Sequence, residues 1–189
     1  PSTTPPGRTF ATMPRYRPAT SGLHWIAAIL ILAMAVAGKV MTDLDISPQK
    51  ALIYRAHAFT GLAVLALTLV RIAVILRRGK PAPDPRWPAW MVAASHATHY
   101  GLYALLLLLA ASGIATMALS GLGETLMSGN LVNWPDLAGV APASAHRLLG
   151  NVFLLLLAAH IAAALYHQYW RRDAIFSRIS LLPASDGGA

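Results

Sequence analysis

Four apolar stretches dominate this 189-residue chain, and each is long enough to cross a bilayer. They run from about Gly22 to Met41, Ala56 to Leu76, Met91 to Leu119 and Ala143 to Trp170. The hydrocarbon core of a membrane is about 30 Å thick, which takes roughly 20 helical residues to span. Backbone inside lipid must satisfy its own hydrogen bonds, so such stretches fold as helices. Composition agrees: 56% of residues are hydrophobic and 12% charged, where a soluble domain carries about a quarter charged residues. The expected fold is all-α, a single integral-membrane four-helix bundle over residues 21–180. Residues 1–20 and 181–189, rich in Pro, Ser, Thr and Gly, read as loose tails. The first stretch follows a polar, Pro-rich segment and ends at Gly38-Lys39 without a small-x-small cleavage pattern, so it reads as a span rather than a cleaved signal.

The net charge of +8 does not indicate nucleic acid, because the basic residues sit between and beyond the apolar stretches. Eleven fall on one side: Arg8, Arg15, Arg17, Arg71, Arg77, Arg78, Lys80, Arg86, Arg171, Arg172 and Arg178. Four fall on the other: Lys39, Lys50, Arg55 and Arg147. The excess of Lys and Arg marks the cytoplasmic side, so both termini and the middle loop are expected there. Trp87, Trp90 and Trp170 stand at span ends, where an interfacial aromatic belt puts them. Membrane lipid is therefore a partner, and nucleic acid is not.

The chain has no cysteine, which excludes thiolate-held clusters, disulfides and covalently attached haem. Its seven acidic residues fall in loops or at termini, so no carboxylate-lined path through the bilayer is expected. All seven histidines, in contrast, lie in the spans or at their ends: His24, His57, His96, His99, His146, His160 and His167. An ionisable group within a membrane is costly and marks function by default. One histidine at a span end is often only an interfacial or helix-packing residue; seven of seven are not so explained.

His146 and His160 are fourteen residues apart, close to four helical turns, so both leave the same face of the last span, about 21 Å apart along its axis. Alternating span direction supplies their partners by depth. His57 is level with His146 on the outer side, and His24 with His160 on the cytoplasmic side. Each pair joins two helices, as bis-histidine ligation of a haem in a bundle core requires. Four residues after these histidines come Ala28, Gly61, Gly150 and Ala164, small residues that leave flat space one turn on. The same small residues also serve plain helix packing. After His96, His99 and His167 the corresponding residues are bulky: Tyr100, Tyr103 and Arg171.

His96 and His99 open the third span level with His24. They stand as alternative ligands to His24 or His160, as quinone-pocket residues or as hydrogen-bond partners of a haem propionate. His167, seven residues past His160, suits a quinone head group, a proton relay or a snorkelled interfacial position. Arg55 and Arg147 flank the outer histidines, fit either to pair with propionates or to attract small anions, or simply to mark topology. Arg15, Arg17, Arg71 and Arg171 do the same on the inner side. Met34, Met91 and Met117 read as packing residues.

These residues resemble the bacterial cytochrome b561 family over nearly the whole chain, from about Arg15 to Ile179. The matching motifs are R-Y-R-P-A-T-S-G-L-H-W ending at His24-Trp25, R-A-H-A-F-T-G from Arg55, S-H-A-T-H-Y-G-L-Y from Ser95, A-H-R-L-L-G-N from Ala145 and L-A-A-H-I-A-A-A-L-Y-H-Q-Y from Leu157. The resemblance implies two non-covalent haem b groups, with His24 and His160 on the cytoplasmic-side haem and His57 and His146 on the periplasmic-side haem. It implies a multi-pass protein of the bacterial inner membrane that exchanges electrons with quinone. The branch it looks like oxidises superoxide and reduces ubiquinone. Related members are electron-transfer subunits that dock a periplasmic redox partner, and the Gly/Pro-rich loop Gly121–Pro142 suits either a docking surface or a substrate funnel. A non-redox structural or transport bundle is the third reading, and it would show no Soret absorption.

Overall fold

The computed structural model describes residues 15–181, and within them the chain is all helical. Four long helices carry the apolar stretches: α1 Pro18–Asp43, α2 Pro48–Arg78, α3 Ala89–Leu119 and, after the short α4 Leu122–Ser128, α5 Ala141–Leu165. All four are long and apolar enough to cross a membrane, α5 together with the turn that follows it. They outrun the apolar stretches because start signals lie further upstream. Pro18, Pro48 and Pro142 stand in the first turn of α1, α2 and α5, where a missing N–H costs nothing and φ is already helical. Ser47 caps α2 by accepting the Lys50 N–H at 3.2 Å, worth about 1 kcal/mol. Arg55 and His57 therefore sit two to three turns inside a helix rather than at its mouth. Helix α1 likewise starts at Pro18, inside the segment read from sequence as tail.

The close helix pairs are α1 with α2 and α3 with α5, and the two pairs meet where α2 touches α3. Few side chains are deeply buried, and large apolar ones such as Ile29, Val36, Phe59, Leu62 and Leu155 are exposed on the outside. In water such a surface would be an aggregation patch; for a bundle in lipid it is the expected solvent-facing side.

The two ends differ. At the α4 end, the segment read as a Gly/Pro-rich loop folds into α4 and a 3₁₀ turn at Leu131–Asn133. Left-handed Gly121 and Gly129, φ 76° each, bracket α4, conformations that favour glycine. Leu122 and Leu126 of α4 bury against Ala51 of α2, flanked by Tyr54, Trp134 and Leu137. At the terminal end α5 runs into a π-helical turn, Tyr166–Trp170, and a 3₁₀ turn, Ile175–Ile179. That last turn fastens both described chain ends together. Arg15 Nε donates to the Ser177 carbonyl at 2.7 Å, the Tyr16 N–H to Arg178 at 2.9 Å and the Trp25 indole to Ile179 at 3.0 Å. Arg178 is buried and reaches the Ala82 carbonyl of the α2–α3 loop at 2.6 Å.

Candidate functional site

At the α4 end, His57 of α2 and His146 of α5 bring their ring centroids to 6.2 Å, at an interplanar angle of 78°. A glycine on a neighbouring helix backs each ring. A Cβ at Gly38 of α1 would lie 3.3 Å from His57 Cε1, and a Cβ at Gly113 of α3 would lie 3.3 Å from His146 Cε1. Neither glycine stands out in the sequence, because the contact that gives each its meaning crosses between helices. His146 is further fixed through Nδ1, which lies 3.0 Å from the Leu109 carbonyl and 3.1 Å from Ser112 Oγ. With the Nδ1 proton directed at a carbonyl, Nε2 carries the free lone pair. His57 Nδ1 is buried and faces the Met34 backbone without reaching hydrogen-bond geometry.

The flanking residues divide. Arg55 donates from Nε to the Leu126 carbonyl at 2.7 Å, so it caps the C-terminal turn of α4. Arg147 is exposed and bonds Ser144 at 2.9 Å. Space around Gly150 is open, with nothing within 4 Å of a Cβ placed there, whereas a Cβ at Gly61 would meet the Met34 methyl at 3.3 Å. The space beside Gly61 is therefore already shared with Met34.

At the terminal end a cavity of about 390 Å³ is lined by His24, His96, His99, His160 and His167 together. His99 approaches His160 with ring centroids at 5.2 Å and bonds the Ser95 carbonyl through Nδ1 at 2.6 Å. His96 is exposed at the margin, 6.2 Å from the Tyr100 ring. Ala164 lines the same cavity. Three cations that line it carry a buried donor without a hydrogen-bond partner, Arg71 Nε, Lys80 Nζ and Arg178 Nε; Arg71 also lies 5.8 Å from the centre of the Tyr103 ring and Lys80 4.2 Å from that of Tyr100. Arg17 is exposed at the start of α1, and its carbonyl accepts the Thr20 and Ser21 N–H groups. Tyr16 closes one margin, its phenol pushed above the ordinary range by burial and only partly restored by Arg178.

His167 sits in the π turn, with Nδ1 2.6 Å from Asp173 Oδ2. The same oxygen accepts from Trp87 Nε1 at 3.0 Å and Arg171 Nε at 3.2 Å. Burial raises the Asp173 carboxyl, but the hydrogen bonds from His167, Trp87 and Arg171 outweigh it and hold it below the usual carboxylate range. Asp173 carries no signal along the sequence, because its partners lie on separate turns.

Residues 15–180 match the sequence model described as prokaryotic cytochrome b561. The chain belongs to that family. Among its curated relatives, cytochrome b561 homolog 1 of Escherichia coli is 29% identical over 161 residues, 83% of this chain and 92% of that protein. The probable superoxide oxidase CybB of Yersinia pestis is 27% identical, covering 84% of this chain and 91% of its own. Cytochrome b562 of Cereibacter sphaeroides is 33% identical, covering 83% and 89%. No solved structure matches the chain.

Membership of the b561 family makes this a membrane electron-transfer protein that binds haem b. The residues fit such a group. His57 and His146 bring two imidazoles from different helices to 6.2 Å between centroids, a donor set that would hold a haem iron. The unpartnered Arg71 and Lys80 donors fit the carboxylates that a b-type haem carries.

Proposed function

We propose that this b561-family chain binds two haem b groups and transfers electrons from the periplasmic side to the quinone pool, as a superoxide:ubiquinone oxidoreductase. His57 and His146 hold one haem at the α4 end, and His24 and His160 hold the other at the terminal end. The carrying observation is the two-tier arrangement on α5. His146 faces His57 at 6.2 Å, and fourteen residues on, His160 lines a second histidine-rich cavity. For the second tier His24 is preferred to His99, because small Ala28 follows His24 one turn on where bulky Tyr103 follows His99.

When bound, haem b supplies reversible one-electron exchange at its iron. The chain supplies the rest. Four helices keep the imidazoles on rigid elements, and apolar walls exclude water. Gly38 and Gly113 set the ring planes, and Arg71 and Lys80 neutralise buried carboxylates. Arg147, exposed at the α4 end, raises local potential for a small anion. The margin of the terminal-end cavity at His99 and His167, beside the side that His24 and His160 line for the haem, takes a quinone head group, with His96 at its rim. The excess of basic residues at the terminal end supports the reading in which that end faces the cytoplasm and the α4 end the periplasm. Substrate identity draws support from the Yersinia pestis relative named a probable superoxide oxidase.

A pyridine haemochrome assay on the purified protein should give two haems b per chain. Stopped-flow mixing with superoxide should reduce them. Reduction by dithionite but not by superoxide removes superoxide as the donor.

A second reading is favoured by the ordered cap at the α4 end, where Met127 is 77% and Val132 92% exposed. On that reading the cap docks a periplasmic redox protein, and the chain has no small-molecule donor of its own. Exchanging the Gly121–Pro142 segment would then abolish reduction by the partner while leaving dithionite reduction unchanged.

A further inference from the structure

We propose that His167, held by Asp173, donates a proton to the quinone reduced in the terminal-end cavity, with His167 the catalytic residue and Asp173 its positioning residue. This rests on the quinone reading of that cavity given above. Three features of the local fold are built around this imidazole. The π turn ends with the Arg171 N–H on the Tyr166 carbonyl at 3.1 Å, and the chain then doubles back so that the Asp173 N–H meets the His167 carbonyl at 3.0 Å. That return brings the 5%-exposed Asp173 carboxylate to the ring edge at 2.6 Å. The Trp87 indole covers the ring at 4.7 Å between centroids and donates to the same carboxylate. π-Helical turns are rare and concentrate where a side chain must be re-aimed.

The consequence is a directed imidazole. Nδ1 is committed to Asp173, so Nε2, on the other side of the ring, is the nitrogen available to a ligand in the cavity that His167 lines. A latch that merely tied the C-terminal segment to the α2–α3 loop would need Trp87, Arg171 and Asp173 but no titratable group on the cavity wall. Asp173 lies against the His167 ring and Arg171 bonds the same carboxylate; Arg71, Lys80, Arg178, Tyr16 and the histidines His24, His96, His99 and His160 share its cavity. Asp173 is the group in direct contact with the ring, at 2.6 Å from Nδ1.

The step balances. Reduction of a quinone takes two electrons, delivered one at a time by a b-type haem, and two protons. The His167 imidazolium breaks its Nε2–H bond as a new O–H bond forms on one quinone oxygen. Neutral imidazole is left, its proton on Nδ1 and hydrogen-bonded to the Asp173 carboxylate. Water at the cavity mouth reprotonates His167 and supplies the second proton.

The test uses purified, haem-loaded protein reduced with dithionite and mixed with ubiquinone-1 between pH 5.5 and 9, following haem reoxidation. Wild type should slow as pH rises. His167→Gln retains an amide donor for Asp173 but no transferable proton, and should be at least about tenfold slower at pH 6, with a flat profile. Asp173→Asn removes the carboxylate that fixes Nδ1 and should slow reoxidation several-fold, with a pH profile that differs from wild type. Haem spectra of both variants should match wild type. Profiles that superimpose on wild type overturn the inference alone. A wild-type protein that no quinone reoxidises overturns the quinone reading and this inference with it. If Asp173→Asn does not fold, the rate and profile of His167→Gln decide.

Discussion

His57 and His146 face each other with ring centroids 6.2 Å apart, each beside a glycine of a neighbouring helix, Gly38 for one and Gly113 for the other, at which a Cβ would come within 3.3 Å of the ring. The arrangement repeats across the bundle: α1 backs a histidine of α2, and α3 backs a histidine of α5. Each ring is thereby packed closely against a helix other than its own.

Histidine truncation should therefore separate the two tiers. His57→Ala and His146→Ala are each expected to lower haem content from two to one per chain, with loss of the α4-end haem. His24→Ala and His160→Ala should remove the other. His99→Ala should keep both. Pyridine haemochrome counts and reduced-minus-oxidised spectra check this, and retention of both haems in His24→Ala with loss in His99→Ala would reverse the terminal-end assignment.

Much of this is legible in the sequence. Spans of about 20 apolar residues announce helices, and the helical period puts His146 and His160 on one face from their spacing alone. Gly38, Gly113 and Asp173 are out of reach for one reason: each acts on a residue of another helix or turn, and local periodicity says nothing of such contacts. The α4 helix is hidden differently. Its burial rests on Leu122, Thr125 and Leu126 alone, a pattern too short to stand out between glycines. Arg55 shows the converse. Adjacency to His57 suggests a role toward the cofactor, but its Nε goes to the Leu126 carbonyl.

Adding a methyl group at either backing glycine should disturb its ring. Gly113→Ala puts a carbon 3.3 Å from His146 Cε1, and Gly38→Ala does the same to His57; neither ring can retreat without losing its aim. Each should lower α4-end haem occupancy several-fold and broaden its electron paramagnetic resonance signal. Gly139→Ala, where an added Cβ meets nothing within 4 Å, is the matched control and should leave both haems intact.

Ser112→Ala should change the character of His146 without displacing it. The hydroxyl lies 3.1 Å from Nδ1, and the Leu109 carbonyl at 3.0 Å remains to hold the ring. An acceptor on Nδ1–H makes the imidazole a more basic ligand, so its loss should raise the midpoint potential of the α4-end haem at unchanged occupancy. Spectroelectrochemical titration reads this directly.

Asp173 should make stability depend on pH in the acid range. Its carboxyl lies below the ordinary range when folded, so the stabilisation is fully present above the unfolded value, near 4. It is lost as pH falls through the depressed folded value. Asp173→Asn should lower stability in detergent at pH 7 by about 1–3 kcal/mol. The gap to wild type should close below pH 4, and thermal melts from pH 8 to pH 3 follow it.

Arg55→Met should act on the cap at the α4 end rather than on haem binding. The variant keeps an apolar stem of similar reach but removes the Nε donor, leaving the Leu126 carbonyl at the C-terminal turn of α4 unpaired. A half-buried carbonyl deprived of a charged donor costs about 1–3 kcal/mol, and α4 has only seven residues and a three-residue buried face to resist that loss. The α4 segment should therefore loosen, with protease cleavage near Ser128–Asn130 several-fold faster than in wild type. Both haems should stay bound, because His57 and His146 are carried by α2 and α5. Loss of the α4-end haem in Arg55→Met at unchanged protease resistance would instead give Arg55 the cofactor role that its place beside His57 suggests.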